Sequence, residues 1–254
     1  MLRRLAFAVA TVTASALALA VPASAIVNGS PDGEDHPNVG GLVADEAYSD
    51  GTWLYCSGTL ISPTVFLTAA HCGEADDDRV RVTFSTAYQD GDTTYAGTFH
   101  ADPDYGTPAQ SDPHDIAVVV LDEAVDGIAP ATLPAAGSLS ELPGKQSFTS
   151  VGYGAHEVTN EPGGHRYLYD DVRMAATGTL NAVNPAWLRI SMNRATGNGG
   201  TCYGDSGGPN FLGDSSTVAA TTITGDAVCR ATNVVYRLDT ASARSFLSEY
   251  VALP

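Results

Sequence analysis

Apolar residues in this chain come in short runs broken by Gly, Pro, Asp and Ser, at 64–69, 80–84, 116–121, 147–151, 187–191, 218–224 and 234–238. Runs of this length, rich in Val, Ile and Thr, predict strands. Helical periodicity is absent until the end of the chain. There Asp239 or Thr240 is placed to cap a helix whose Phe246, Leu247, Tyr250 and Val251 share one face. An all-β body with a C-terminal helix follows. Pro130, Pro134 and Pro143 interrupt the strand pattern between Gly127 and Gly144, which places a linker there.

Residues 1–25 carry Arg3 and Arg4, an apolar run from Leu5 to Val21, and then Ala23-Ser24-Ala25. These are the three regions of a secretory signal peptide. The apolar run is short for a membrane span of about 20 residues and ends in a cleavage signal, so the expectation is cleavage after Ala25 and export. The formal net charge is −17, and loss of two arginines with the leader makes the remainder more acidic still. Nucleic acid and anionic membrane are poor partners for such a surface. The acidic stretch Glu74 to Asp78 is expected to be solvated surface rather than a calcium site. Four cysteines in an exported chain predict two disulfides, and spacing alone leaves three connectivities open.

The chemistry-bearing motif is Gly204-Asp205-Ser206-Gly207-Gly208. It satisfies G-x-S-x-G, the strand-to-helix elbow of α/β-hydrolases, but that fold needs its histidine after the serine. His36, His71, His100, His114, His156 and His165 all precede Ser206, so chain order excludes it. A zinc hydrolase is a weak reading too: H-E-x-x-H is absent, and His156-Glu157 is followed by Asn160 where the second histidine belongs. Serine becomes a useful nucleophile when a base takes its proton and an acid orients that base. His71 is the candidate base, beside Cys72, whose disulfide would hold its loop. Asp115 is the candidate acid, at the start of a strongly apolar strand.

Thr68-Ala69-Ala70-His71-Cys72, Asp115-Ile116-Ala117 and Gly204-Asp205-Ser206-Gly207-Gly208-Pro209 together resemble the signature blocks of the chymotrypsin/trypsin family of serine proteases. Ile26-Val27-Asn28-Gly29, Cys56-Ser57-Gly58-Thr59-Leu60-Ile61 and Gly152-Tyr153-Gly154 extend the likeness over residues 26–254. The resemblance implies two antiparallel six-stranded β-barrels, at 26–130 and 131–238, with the helix at 239–254 and the site in the cleft between the barrels. It implies Ser206 as nucleophile, His71 as base then acid, Asp115 as orienting group, and the N–H groups of Gly204 and Ser206 as the oxyanion hole. It pairs Cys56 with Cys72 and Cys202 with Cys229. It also implies that a free ammonium on Ile26 inserts beside Asp205, so that signal peptidase itself would make the active terminus.

Specificity departs from the trypsin pattern. Gly200 stands where trypsin-like enzymes carry an aspartate, and Val234 replaces a glycine of the pocket wall, which together imply a small or medium apolar residue before the cut. Asp226 remains a nearby charge. The strand that pairs with substrate corresponds to Ile223-Thr224-Gly225, with either Thr222 or Ile223 at the position of the family's serine. The resulting expectation is a secreted, monomeric endopeptidase acting on protein or peptide substrates without cofactor or metal. A protease-like binding protein lacking useful turnover, or an esterase with the same triad, are the alternatives.

Overall fold

A computed structural model describes residues 26–73, 78–107 and 111–254. The expected leader and most of the acidic stretch 74–78 lie outside the described residues. Strands β1 (Ser30–Pro31), β2 (Val39–Val43), β3 (Leu54–Ser62), β4 (Val65–Thr68), β5 (Arg79–Thr83), β6 (Tyr95–Ala101) and β7 (Ala117–Leu121) come first. Of these, six close a barrel in the order β2-β3-β4-β7-β6-β5. Then come β8 (Ser147–Gly152), β9 (Glu157–Glu161), β10 (Gly164–Leu168), β11 (Met174–Val183), β12 (Trp187–Ser191), β13 (Pro209–Leu212), β14 (Val218–Gly225) and β15 (Thr232–Arg237). A second antiparallel ring runs β8-β11-β12-β15-β14-β13 and closes through β13 on β8, with β1 added to the start of β11 and β9–β10 standing apart as a hairpin. This is the all-β, two-barrel architecture expected, with α1 (Ala241–Leu247) as its C-terminal helix.

β7 shows why the apolar runs lack polar alternation. Side chains alternate across a strand, and here Ala117, Val119 and Leu121 enter the core of the first barrel while Val118 enters a different core. That second core also holds Val39, Tyr153, Phe211, Tyr236 and Phe246, so it draws on both barrels and the helix. Both faces of β7 are therefore apolar. Thr240 caps α1 by accepting the Ala243 N–H at 3.3 Å, whereas Asp239 is occupied by Arg237 at 2.9 and 2.8 Å. Tyr250 and Val251 pack on the core from beyond the end of the helix.

Arg173 joins the barrels from a fully buried position. It enters β11 and donates to Asp32 at 2.9 Å, to the Val39 and Phe84 carbonyls at 3.1 Å each, and to the Gly33 carbonyl at 2.6 Å. Tyr153 adds its phenol to the Ser85 carbonyl at 2.8 Å. A buried guanidinium needs its donors occupied, and here the acceptors come from the first barrel and the segment leading into it.

Candidate active site

Strand register brings His71 and Asp115 together. β4 pairs antiparallel with β7, and Thr68 at the end of one faces Ala117 at the start of the other. The chain leaving β4 and the chain entering β7 therefore emerge side by side. His71 lies in the short 3₁₀ turn Ala70–Cys72, held to β3 by the Cys56–Cys72 disulfide. Asp115 is buried and takes the His71 backbone N–H on Oδ1 at 3.0 Å, while His71 Nδ1 lies 2.8 Å from Oδ2. An Nδ1 proton shared with that carboxylate leaves Nε2 as the acceptor nitrogen of the ring.

Ser206 arrives from the second barrel on the turn before β13. Gly204 sits at φ +93°, and a β-carbon there would lie 2.9 Å from Gly154 Cα, so both conformation and space require glycine. The turn is pinned on two sides. Gly207 donates to the Thr222 carbonyl at 2.8 Å, and Thr222 donates to the Gly208 carbonyl at 2.9 Å. From the first barrel, the Ser57 N–H reaches the Ser206 carbonyl at 2.8 Å and Ser57 Oγ reaches the Gly204 carbonyl at 2.9 Å. Ser57 also accepts the Tyr153 N–H at 3.0 Å. Sequence reasoning gave Ser57 no role, because nothing in its local pattern shows that it meets a turn far along the chain. His71 and Ser206 line one cleft of about 770 Å³, with Asp115 behind the histidine.

Asp205 is fully buried beside Ser206. It accepts the N–H groups of Cys202 and Gly154 at 2.8 Å each. Burial nevertheless pushes its carboxyl up to about 7, against the lowering effect of those two bonds. Gly152 and Gly154 make room for it, since a β-carbon on either would collide with the carboxylate. Ile26 is likewise fully buried and shares a small cluster with Met174, whose register partner is Gly152. Among the described residues no basic side chain forms an ion pair with Asp205.

The remaining site candidates fall in different places. Gly225 and Asp226 line the cleft. Gly200 is not among the lining residues, although its neighbour Thr201 is; it bridges Val27 and packs so closely on Met192 that a β-carbon would collide with the thioether. Val234 lies in β15, paired with Arg189 and Thr224, also outside the lining. The Thr222 hydroxyl accepts from Asn210 Nδ2 at 3.0 Å, and Ile223 falls at the bulge where β14 shifts register. Among the described residues, His71 supplies both hydrogen bonds to the Asp115 carboxylate.

Cys202 and Cys229 form the second disulfide at the cleft wall, and two such bonds fit an oxidising compartment. Among the described residues, Cys56, His71 and Cys72 lie close enough to share a metal, but their thiols are already joined. Asp102, Asp104 and His114 form another such group outside the cleft lining. No helix among the described residues is long and apolar enough to cross a membrane.

Two closed six-stranded barrels with a histidine–carboxylate pair and a serine turn meeting in one cleft define a hydrolase of the double-barrel serine protease class. The Trypsin family matches residues 35–244, and the chain belongs to that family. It is similar to a protein named Trypsin from Phaedon cochleariae, 30% identical over 224 residues that cover 77% of this chain and 83% of that one.

Proposed function

We propose that this protein is a secreted serine endopeptidase that cleaves peptide bonds through an acyl-enzyme. The observation that carries the reading is the orientation of His71: Asp115 holds its Nδ1 side at 2.8 Å, and the ring shares the cleft with Ser206. Ser206 Oγ attacks the scissile carbonyl while His71 Nε2 takes its proton, and the same nitrogen then returns that proton to the leaving amine. Asp115 fixes the tautomer and stabilises the imidazolium. The N–H groups of Gly204 and Ser206 receive the developing oxyanion, on a turn held by Ser57 and Thr222 before substrate arrives. Cleavage after Ala25 would give Ile26 a free ammonium for Asp205. Lack of a carboxylate at Gly200, beside the cleft-lining Thr201, favours a small or medium apolar residue before the cut.

Labelling with a sulfonyl fluoride or an organophosphonate tests the core of this reading. The mature protein should label at Ser206 and hydrolyse peptides, and Ser206→Ala should lose the label together with about 10⁴ to 10⁶ in kcat. An unlabelled, inactive wild-type protein would instead identify a protease-like binding protein.

A further inference from the structure

Asp115 stands just ahead of the ladders that fix β7. β4 and β6 flank that strand, and the register puts Thr68 of one and Ala101 of the other opposite Ala117, so Asp115 lies before both pairings begin. Its carboxylate has His71 as hydrogen-bond partner among the described residues. Where that carboxylate points is therefore set by the few residues around it in the chain.

Asp102 grips the chain on both sides of Asp115. It follows Ala101, the last residue of β6, and its N–H donates to the Ile116 carbonyl at 2.9 Å. Its side chain reaches the other side: Oδ2 lies 3.2 Å from Nδ1 of His114, and Oδ1 accepts the Asp104 N–H at 3.0 Å. Asp102 and His114 are both buried, and neither lines the cleft. Enclosing an imidazole and a carboxylate carries a desolvation cost that their mutual bond offsets only while both keep this geometry.

The backbone of His114 is itself unusual. At φ +50° it occupies the left-handed region, which residues with a full side chain rarely adopt. Three contacts hold it there. Its N–H donates to Asp112 Oδ1 at 3.1 Å, its carbonyl accepts the Ile116 N–H at 2.9 Å across Asp115, and its ring meets Asp102. Asp112 is tied in turn to α1, accepting the Ser242 hydroxyl at 2.5 Å. Backbone strain persists where the surroundings over-determine it, and here it adjoins the carboxylate that orients His71. Relaxing residue 114 to negative φ would redirect the chain at Asp115 and carry the carboxylate with it.

We propose that His114, locked by Asp102, is a positioning residue for Asp115: the pair holds residue 114 in the left-handed conformation from which the Asp115 carboxylate reaches both the N–H and the ring of His71. The effect on turnover rests on the endopeptidase reading, whereas the geometry is independent of substrate. Asp102 and His114 act through Asp115 and touch no reacting group.

His114→Ala, His114→Asn, Asp102→Ala and Asp102→Asn in the mature protein test it. Two readouts are needed: steady-state peptide hydrolysis, and the proton resonance of His71 Nδ1–H, the proton shared with Asp115. His114→Ala should lower kcat about 10- to 100-fold with little change in KM, as expected for a displaced catalytic group, and should shift or broaden the resonance. His114→Asn, which tolerates left-handed φ, should lose less. Asp102→Asn keeps the shape and can keep both bonds, accepting from Asp104 on Oδ1 and donating Nδ2–H to the other tautomer of the ring. It should recover most of what Asp102→Ala loses. Wild-type kcat and resonance in His114→Ala overturn the proposal. So do a fall in kcat with the resonance in place, and equal losses in Asp102→Asn and Asp102→Ala. Should the alanine variants not fold, His114→Asn decides: loss of kcat together with the resonance upholds the pair, and wild-type values without the imidazole overturn it. A wild-type protein that hydrolyses no peptide defeats the endopeptidase reading, and the resonance then decides the pair by itself.

Discussion

Asp205 and Asp50 show how the same side chain takes opposite behaviour from its surroundings. Asp50 feels some desolvation, but the Thr52 bonds hold its carboxyl below its ordinary value, so it stays charged at neutral pH. Asp205 is fully enclosed and rises to about 7 with no cation facing it while Ile26 is an amide. The sign of the consequence follows from linkage. A carboxyl whose folded pKa is raised contributes stability below its unfolded pKa of 3.8, and that stability is lost as pH rises through about 7. A chain extended by a few residues before Ile26 should therefore lose up to roughly 4 kcal/mol of stability between pH 4 and 7. The chain beginning at Ile26 should not, because its ammonium would keep Asp205 ionised. Urea titrations of both forms across this range, with peptidase activity measured at each pH, check it; equal pH profiles would separate Ile26 from Asp205. The aspartate is legible in the motif, but its burial is visible only once Gly152 and Gly154 are seen around it.

The strands that sequence patterning locates best are those with both faces buried, such as β4 and β7. β2 and β11 have no continuous apolar run, because Gly40, Gly41 and a series of Ala, Thr and Gly residues line them. Close packing admits these small residues where one strand crosses another. Buried polarity inside the second barrel is equally silent in sequence. Asn210 accepts from Ser150 at 2.7 Å and from Asn233 at 3.0 Å, and donates to the Thr222 hydroxyl at 3.0 Å. All four side chains are buried. Since Thr222 pins the turn after Ser206, Asn210→Leu should cost about 2–4 kcal/mol by leaving these groups unpaired. It should also lower kcat more than it raises KM. Denaturant unfolding and steady-state kinetics measure the two effects; unchanged kcat in a destabilised variant would limit the network to a structural role.

At the scale of the molecule, the cleft exists only while the two barrels keep their relative position, and Arg173 is the polar centre of that junction. Burial alone would raise the Asp32 carboxyl, but His36 and Arg173 hold it below its ordinary value. Its linkage therefore runs opposite to that of Asp205: its contribution is present at neutral pH and is lost as pH falls through the lowered pKa. Arg173→Ala should cost about 3–5 kcal/mol, because it removes the buried cation from Asp32 and leaves His36 as its remaining partner. Arg173→Met combined with Asp32→Leu should recover most of that loss, read as denaturation midpoints. No recovery in the pair would show that the carbonyl contacts to Val39, Phe84 and Gly33 dominate.

Short-range patterning and local motifs carry the strand-rich body, the helix at its end and the blocks around His71, Asp115 and Ser206. The order of these blocks was enough to exclude the α/β-hydrolase elbow. The three-dimensional arrangement is needed to see that Ser57 braces the serine turn, that Asp226 is consumed by its own loop, and that Asp50 and Tyr169 line the same cleft as Ser206. Those facts depend on which distant backbone groups meet across two barrels, and strand register and burial fix them.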